Sequence, residues 1–307
     1  MAQPKQSDPV ISRVITEQNQ GHETRKAILA ELEQDLARPV LSYFTSFTYP
    51  VSIEEGDVDM VEGMLRTMNL SRGLALLINS PGGDGIAAER IINLCRSYSG
   101  TGEFWAIVPS RAKSAATMVC FGASKIMMGP SSELGPIDPQ LTIKEDGKLK
   151  RFSLWNLLHS YKELFDRAVK EKGNIQPYLQ QLSNYDCREM EEYKTAMELS
   201  EDIAIRSLAS GMMPGKLTTK HKNDIRKRIA IFLTPKQTKA HGRPIYFQEA
   251  KDCNLTIDLQ DVKTDLWARC YELYVRTNNF VSGRAAKCVE NKDNSFYVSV
   301  QEMYDGR

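Results

Sequence analysis

Apolar residues run almost unbroken through Gly73-Leu74-Ala75-Leu76-Leu77-Ile78-Asn79 and stop at Ser80-Pro81-Gly82-Gly83-Asp84. A run without polar alternation is what a strand buried on both faces of a parallel sheet requires. Upstream, residues 40–47 are rich in β-branched and aromatic side chains and are closed by Pro50, which predicts another strand. Between the two, Val58, Val61, Met64, Leu65 and Met68 recur at helical spacing. A second unit follows: a helix through Ile86, Ile91, Ile92 and Cys95, a buried strand at 104–109, a turn at 110–113, a short helix at 114–122 and a strand at 125–129. Strands alternating with helices at this spacing predict right-handed βαβ crossovers on a mostly parallel sheet, an α/β fold.

Residues 1–38 form a polar arm ending in a helix that carries Ile28, Leu29, Leu32 and Leu36. From 152 to about 210 the pattern is helical, and Met212-Met213-Pro214-Gly215 breaks it. A helix-like stretch leads to Thr234-Pro235 and a polar turn over 239–244. A short helix (247–253), a strand (255–259) and a long helix (262–277) come next. The segments 286–289 and 296–300, joined by Asn291-Lys292-Asp293-Asn294, form a terminal hairpin. The expected organisation is an arm and helix over 1–38, a central α/β domain over 39–260 with a helical insertion near 152–232, and a helix and hairpin over 261–307.

The chain has 307 residues, of which 41% are hydrophobic and 26% charged, ordinary values for a globular protein. Forty basic side chains against 39 acidic leave a net charge of +1. That balance gives no reason to expect nucleic acid as the main partner, because phosphate binding needs a basic surplus on one face. The cluster Lys216, Lys220, Lys222, Arg226, Lys227 and Arg228 reads as a solvated helix face. The first residues hold no apolar core of a secretory signal, and no window is long and apolar enough to span a membrane. Six cysteines are scattered without a Cys-x-x-Cys pair, as small hydrophobes in a reducing compartment are; a cytoplasmic address is expected. The four histidines form no ligand-spaced pair and no Gly-x-Gly-x-x-Gly follows a predicted strand, so neither zinc nor a dinucleotide cofactor is expected.

Three segments bear on chemistry. Asn79-Ser80-Pro81-Gly82-Gly83-Asp84 ends a buried strand, where adjacent glycines make either an ordinary tight turn or a backbone whose N–H groups stabilise a developing oxyanion. Ser114, in Arg111-Ala112-Lys113-Ser114-Ala115-Ala116-Thr117, stands where a turn enters a helix of small residues, as either a capping serine or an exposed hydroxyl beside free N–H groups. Gly129-Pro130-Ser131-Ser132-Glu133-Leu134-Gly135-Pro136-Ile137-Asp138-Pro139-Gln140 is held to one path by its prolines, as a fixed turn or as the wall of a groove.

The order of these segments resembles the serine dehydrogenase proteinase family, which is similar to the signal peptide peptidase A class and to the proteolytic subunit of Clp, of Clp/crotonase fold. The resemblance covers residues 73–140 and returns at His241-Gly242-Arg243-Pro244-Ile245 and Glu249-Ala250-Lys251. It implies a serine peptidase acting on peptide or protein substrates, with Ser114 as nucleophile and Gly82 and Gly83 as oxyanion hole. Lys113 and Ala115, flanking the serine, are expected anchors or substrate contacts. For the general base two residues compete: His241, beside the position of the Clp triad acid, and Lys162, the best-spaced match to the signal peptide peptidase lysine. Asp138, near the position of the Clp histidine, is either the group that orients His241 or a turn residue. The resemblance also implies a homo-oligomer. Two other readings share the scaffold: a catalytically silent oligomer and a crotonase-type acyl-CoA enzyme, the latter generally relying on acidic residues.

Overall fold

The computed structural model describes residues 9–17, 21–145, 148–234 and 242–301. The chain opens with helices α1 (Val10–Thr16) and α2 (Glu23–Leu36), then alternates β1 (Val40–Thr45), α3 (Glu55–Leu65), β2 (Leu74–Asn79), α4 (Gly85–Tyr98) and β3 (Phe104–Val108). A two-residue strand β4 (Arg111–Ala112) precedes α5 (Ala115–Phe121), which leads to β5 (Lys125–Met128) and another short strand, β6 (Glu133–Leu134). Then come β7 (Gln140–Glu145), β8 (Lys148–Ser153), and helices α6 (Leu154–Lys170), α7 (Gln176–Leu182), α8 (Cys187–Ser210), α9 (Thr219–Arg228) and α10 (Ala230–Leu233). The chain continues through α11 (Phe247–Asp252), β9 (Ile257–Leu259), α12 (Asp265–Gly283), β10 (Ala285–Glu290) and β11 (Ser295–Ser299).

Seven strands form the main sheet in the order β11-β10-β1-β2-β3-β5-β9. From β1 to β9 the neighbours are parallel, as the unbroken apolar runs require; the terminal hairpin adds the antiparallel pair at the β1 side. Every residue of β1, β2 and β10 is buried. Alternation along the strands divides the core into two layers. Leu41, Leu76, Ala106 and Ile126 face helices α3, α4, α5 and α8, whereas Val40, Leu77, Ile107 and Met127 face α2 and α12. The result is a three-layer α/β fold with a mostly parallel sheet, as expected.

Local chemistry explains most helix starts. Asp84 caps α4 by accepting the N–H groups of Ile86 (2.6 Å) and Ala87 (3.1 Å). Thr218 and Thr264 cap α9 and α12 in the same way. Glu54 and Asp57 close a reciprocal capping box on α3.

Three differences from the expected elements stand out. The turn expected at 110–113 contains β4, which pairs in parallel with β6, so the segment after β5 returns to lie beside the Ser114 turn. Residues 140–145 and 148–153 form the antiparallel pair β7–β8, and the helical stretch begins only at Leu154, where Ser153 accepts the Asn156 N–H. The long helix runs to Gly283 rather than 277, because Phe280 and Val281 are buried on its inner face. Among the described residues no helix is long and apolar enough to cross a membrane.

Five of the six cysteines lie in the core and only Cys187 is exposed. Burial pushes the thiols of Cys95 and Cys270 up to about 12 and that of Cys253 up to about 11. Titration of the native protein with a chromogenic disulfide is therefore expected to show one fast thiol, with the other five reacting only in denaturant. A second fast thiol that persists in Cys187→Ser would contradict this packing.

Candidate active site

The strand β2 ends at Asn79, and the loop that follows is laced to the nucleophile turn. The Asn79 side-chain oxygen accepts the Arg111 N–H (3.1 Å), Ser80 N–H donates to the Arg111 carbonyl (3.0 Å), and Lys113 N–H donates to the Ser80 carbonyl (3.0 Å). These bonds deliver Ser114 to the start of α5 with φ 51° and ψ −121°. Left-handed backbone at a non-glycine residue costs on the order of 1–3 kcal/mol and persists only where its surroundings impose it. Here they do. Beyond the ladder to Ser80, the Thr117 hydroxyl lies 2.7 Å from the Ala112 carbonyl and 3.1 Å from the Gly135 N–H. The Ser114 hydroxyl makes no capping bond to α5, which separates it from an ordinary N-cap serine.

The two glycines do different jobs. Gly82 has φ +96°, and a Cβ there would sit 2.7 Å from the Ser114 Cβ and 3.0 Å from the Ala115 nitrogen. Only a residue without a side chain lets the loop approach so closely. Its own N–H donates to the Ser80 hydroxyl (3.1 Å). Gly83, at φ +153°, forms a parallel bridge with Ile53. Ile53 N–H donates to the Gly82 carbonyl (2.8 Å) and its carbonyl accepts the Asp84 N–H (2.9 Å). That leaves Gly83's own N–H outside the ladder. Among the described residues, neither the Gly83 nor the Ala115 N–H has a hydrogen-bond acceptor.

Lys113 points away from the serine. Its ammonium pairs with Glu133 (2.8 Å) and donates to the Leu134 carbonyl (3.2 Å), anchoring the turn to β6. Burial lowers its pKa, and the Glu133 carboxylate opposes that shift.

Ser114 opens onto a cleft of about 220 Å³ whose walls include Gly83, Met118, Ile137, Leu199 and Ile203. Among its described lining residues the one titratable group is Asp84, whose Oδ1 caps α4. The segment Ile137-Asp138-Pro139 divides this cleft from a neighbouring cavity of about 370 Å³, where Trp155, Lys194, Glu198 and Arg226 stand. Two bonds of 2.8 Å hold the divider, from Ile137 N–H to the Phe232 carbonyl and from the Ser200 hydroxyl to the Ile137 carbonyl.

The fold thus brings Ser114, Gly82, Gly83, Lys113 and Ala115 together. Asp138 is buried in the divider and lines the neighbouring cavity. Lys162 is not brought to the serine cleft: it stands on an exposed stretch of α6, pairs with Asp166 (3.1 Å) and lines a surface hollow with Phe165 and Met190. His241 lies outside the described residues. Ile53, the clamp on Gly83, was not foreseen; its contribution is backbone alone, which leaves no mark on residue identity.

Residues 44–148 match the family of ClpP-like SDH-type serine proteinases. Two uncharacterised proteins of Methanocaldococcus jannaschii are 26% identical over 204 residues and 23% identical over 215, covering 66% and 69% of this chain. The chain spans only 59% and 60% of the length of those relatives. Among solved structures, two mutants of a membrane-bound stomatin-specific protease, one in complex with a substrate peptide, are similar at 12% identity and a TM-score of 0.29. Those alignments cover 68% and 74% of this chain, and 93% and 94% of the structures. The family match runs from within β1 past α5, and so contains the glycine loop, the nucleophile turn and the divider. Over residues 44–148 the chain is similar to the ClpP-like SDH-type serine proteinase family.

Proposed function

We propose that this protein is a serine peptidase in which the Ser114 hydroxyl attacks the scissile carbonyl and the Gly83 and Ala115 N–H groups receive the oxyanion. The observation that carries the reading is the Ser114 backbone: an imposed positive φ, a hydroxyl that caps nothing, and two adjacent N–H groups that no described residue accepts. In acyl transfer, a base takes the hydroxyl proton as Oγ bonds to the carbonyl carbon. The negative charge moves to the carbonyl oxygen, where two aimed donors are worth far more than in water. Collapse expels the amine with that proton, and water then releases the acyl group by the same route. Peptides entering the cleft would meet mainly apolar walls.

For the base, we rank His241 above Lys162. Ile245 exchanges two backbone bonds of 3.0 Å with Leu134, which pairs with Ala112 in the nucleophile turn. The four residues from His241 to Ile245 span at most ~14 Å. That tether supports a histidine reaching the serine, with Asp138 as the group that would orient it. The exposed pair of Lys162 with Asp166 speaks against the lysine. We also propose self-association through α6 and α7, whose Phe165, Val169 and Leu179 are exposed on a surface that a second copy would cover.

Three outcomes are expected. Wild type should be labelled by a fluorophosphonate probe, and Ser114→Ala should lose labelling and peptide hydrolysis while keeping a wild-type circular dichroism spectrum; a folded mutant that still hydrolyses peptides would end the assignment, and an unlabelled wild type would favour the silent scaffold. The pH–rate profile should rise through a histidine-like midpoint of about 6.5, and His241→Gln should flatten it while Lys162→Met leaves it in place. The reverse result reassigns the base. Light scattering at micromolar concentration should give a mass above the monomer, lowered by Phe165→Glu/Val169→Glu; a wild-type monomer would remove self-association from the reading.

A further inference from the structure

Lys287 belongs to β10 of the terminal hairpin, far in sequence from every residue of the site, yet its side chain is 1% exposed. A lysine is buried to that degree only when its charge is paired. Its ammonium lies 3.0 Å from Asp57 Oδ2 and 2.5 Å from Glu54 Oε1. The same Asp57 oxygen accepts the Tyr43 hydroxyl (2.9 Å) and the Glu54 N–H (2.8 Å). Asp57 and Tyr43 are themselves buried, and desolvation raises the pKa of each. The cluster is therefore saturated on its acceptor side and fixes one short stretch of chain, the entry into α3.

The residue immediately before that stretch is Ile53, whose N–H and carbonyl clamp Gly83 from both sides. A Cβ at Gly83 would lie 2.9 Å from the Ile53 carbonyl carbon, so the two backbones are in contact with no side chain between them. A displacement of Ile53 would therefore bear directly on the Gly83 backbone.

We infer that Lys287 is a positioning residue for the oxyanion site, acting through Asp57, Glu54 and Ile53 to set the Gly83 N–H. The inference rests on the serine-peptidase reading given above. Lys287 does not line the serine cleft, so its removal should spare substrate binding and act on the transition state. Loss of one oxyanion donor lowers turnover by roughly 10²–10³-fold. A donor shifted rather than deleted should lose less, about 10–100-fold.

The test compares wild type, Lys287→Met and Asp57→Asn on a matched pair of acyl esters, one with a carbonyl and one with a thiocarbonyl at the scissile position. Donors set for oxygen favour the oxoester, because sulfur is larger and accepts hydrogen bonds weakly. Both variants are expected to lower kcat on the oxoester about 10–100-fold with KM nearly unchanged, and to shrink the oxoester-to-thionoester ratio. A folded Lys287→Met with wild-type kcat and ratio would overturn the inference, and so would lowered thermal stability with an unchanged ratio. Should Lys287→Met fail to fold, Asp57→Asn decides by the same ratio, since the amide keeps one oxygen to accept from Tyr43 and Glu54 while removing the charge that Lys287 pairs with. A wild type inert to both esters and to fluorophosphonate would overturn the serine-peptidase reading itself, and this inference with it; an active wild type with indifferent variants overturns this inference alone.

Discussion

The closeness of two backbone segments governs this molecule: the Gly82 Cα lies against the Ser114 turn with no room for a side chain at Gly82. Both partners hold left-handed dihedrals, one a glycine that adopts them freely and the other a serine that does not. Everything around the contact serves to keep it. β2 and β4 bring the two segments side by side, Lys113 nails the turn to β6, and Thr117 ties the turn to the strand that follows it. The sheet is accordingly a frame in which strand ends are aligned, and the cleft occurs where those ends meet the helices.

Much of this frame was legible in the residues. Unbroken apolar runs gave the parallel strands, and the break at Ser80-Pro81-Gly82-Gly83-Asp84 gave the loop before α4, which meets the Ser114 turn at the cleft. What escaped prediction shares a cause. The β4–β6 pairing is two residues long and the Ile53 clamp is one, so neither leaves a periodicity to read. The hairpin β7–β8 mixes charged and apolar positions in a pattern that also suits the start of a helix. The non-equivalence of Gly82 and Gly83 depends on a hydroxyl two residues away, and identical residues cannot announce different partners.

Two of the buried charge clusters among the described residues involve the terminal hairpin. Arg25 meets Glu290 with bonds of 2.6 and 3.0 Å at side chains 1% and 0% exposed, and its guanidinium lies 4.5 Å from the centre of the Phe280 ring. Lys287 meets Asp57 and Glu54 one layer away. Such pairs add little net stability relative to apolar packing, but removing one partner costs ~3–5 kcal/mol. They therefore act as register marks: a hairpin slipped by one residue would bury two cations against hydrocarbon. This explains how a short two-stranded element, marginal by itself, seats on β1 in a single alignment.

The placement of that hairpin has a consequence for biosynthesis. β1 precedes the other described strands in the chain, yet its outer neighbour β10 follows all of them but β11, and the Arg25–Glu290 pair joins residues 265 positions apart. Until β10 has been made, the β1 edge lacks its native neighbour, and the entry into α3 has no ammonium to hold it. The Gly83 loop, clamped by Ile53, can then take its final shape only once β10 is in place. On the peptidase reading proposed above, the site would stay unarmed while the chain is nascent, when the unfolded segments of its own sequence are the nearest peptides to cut.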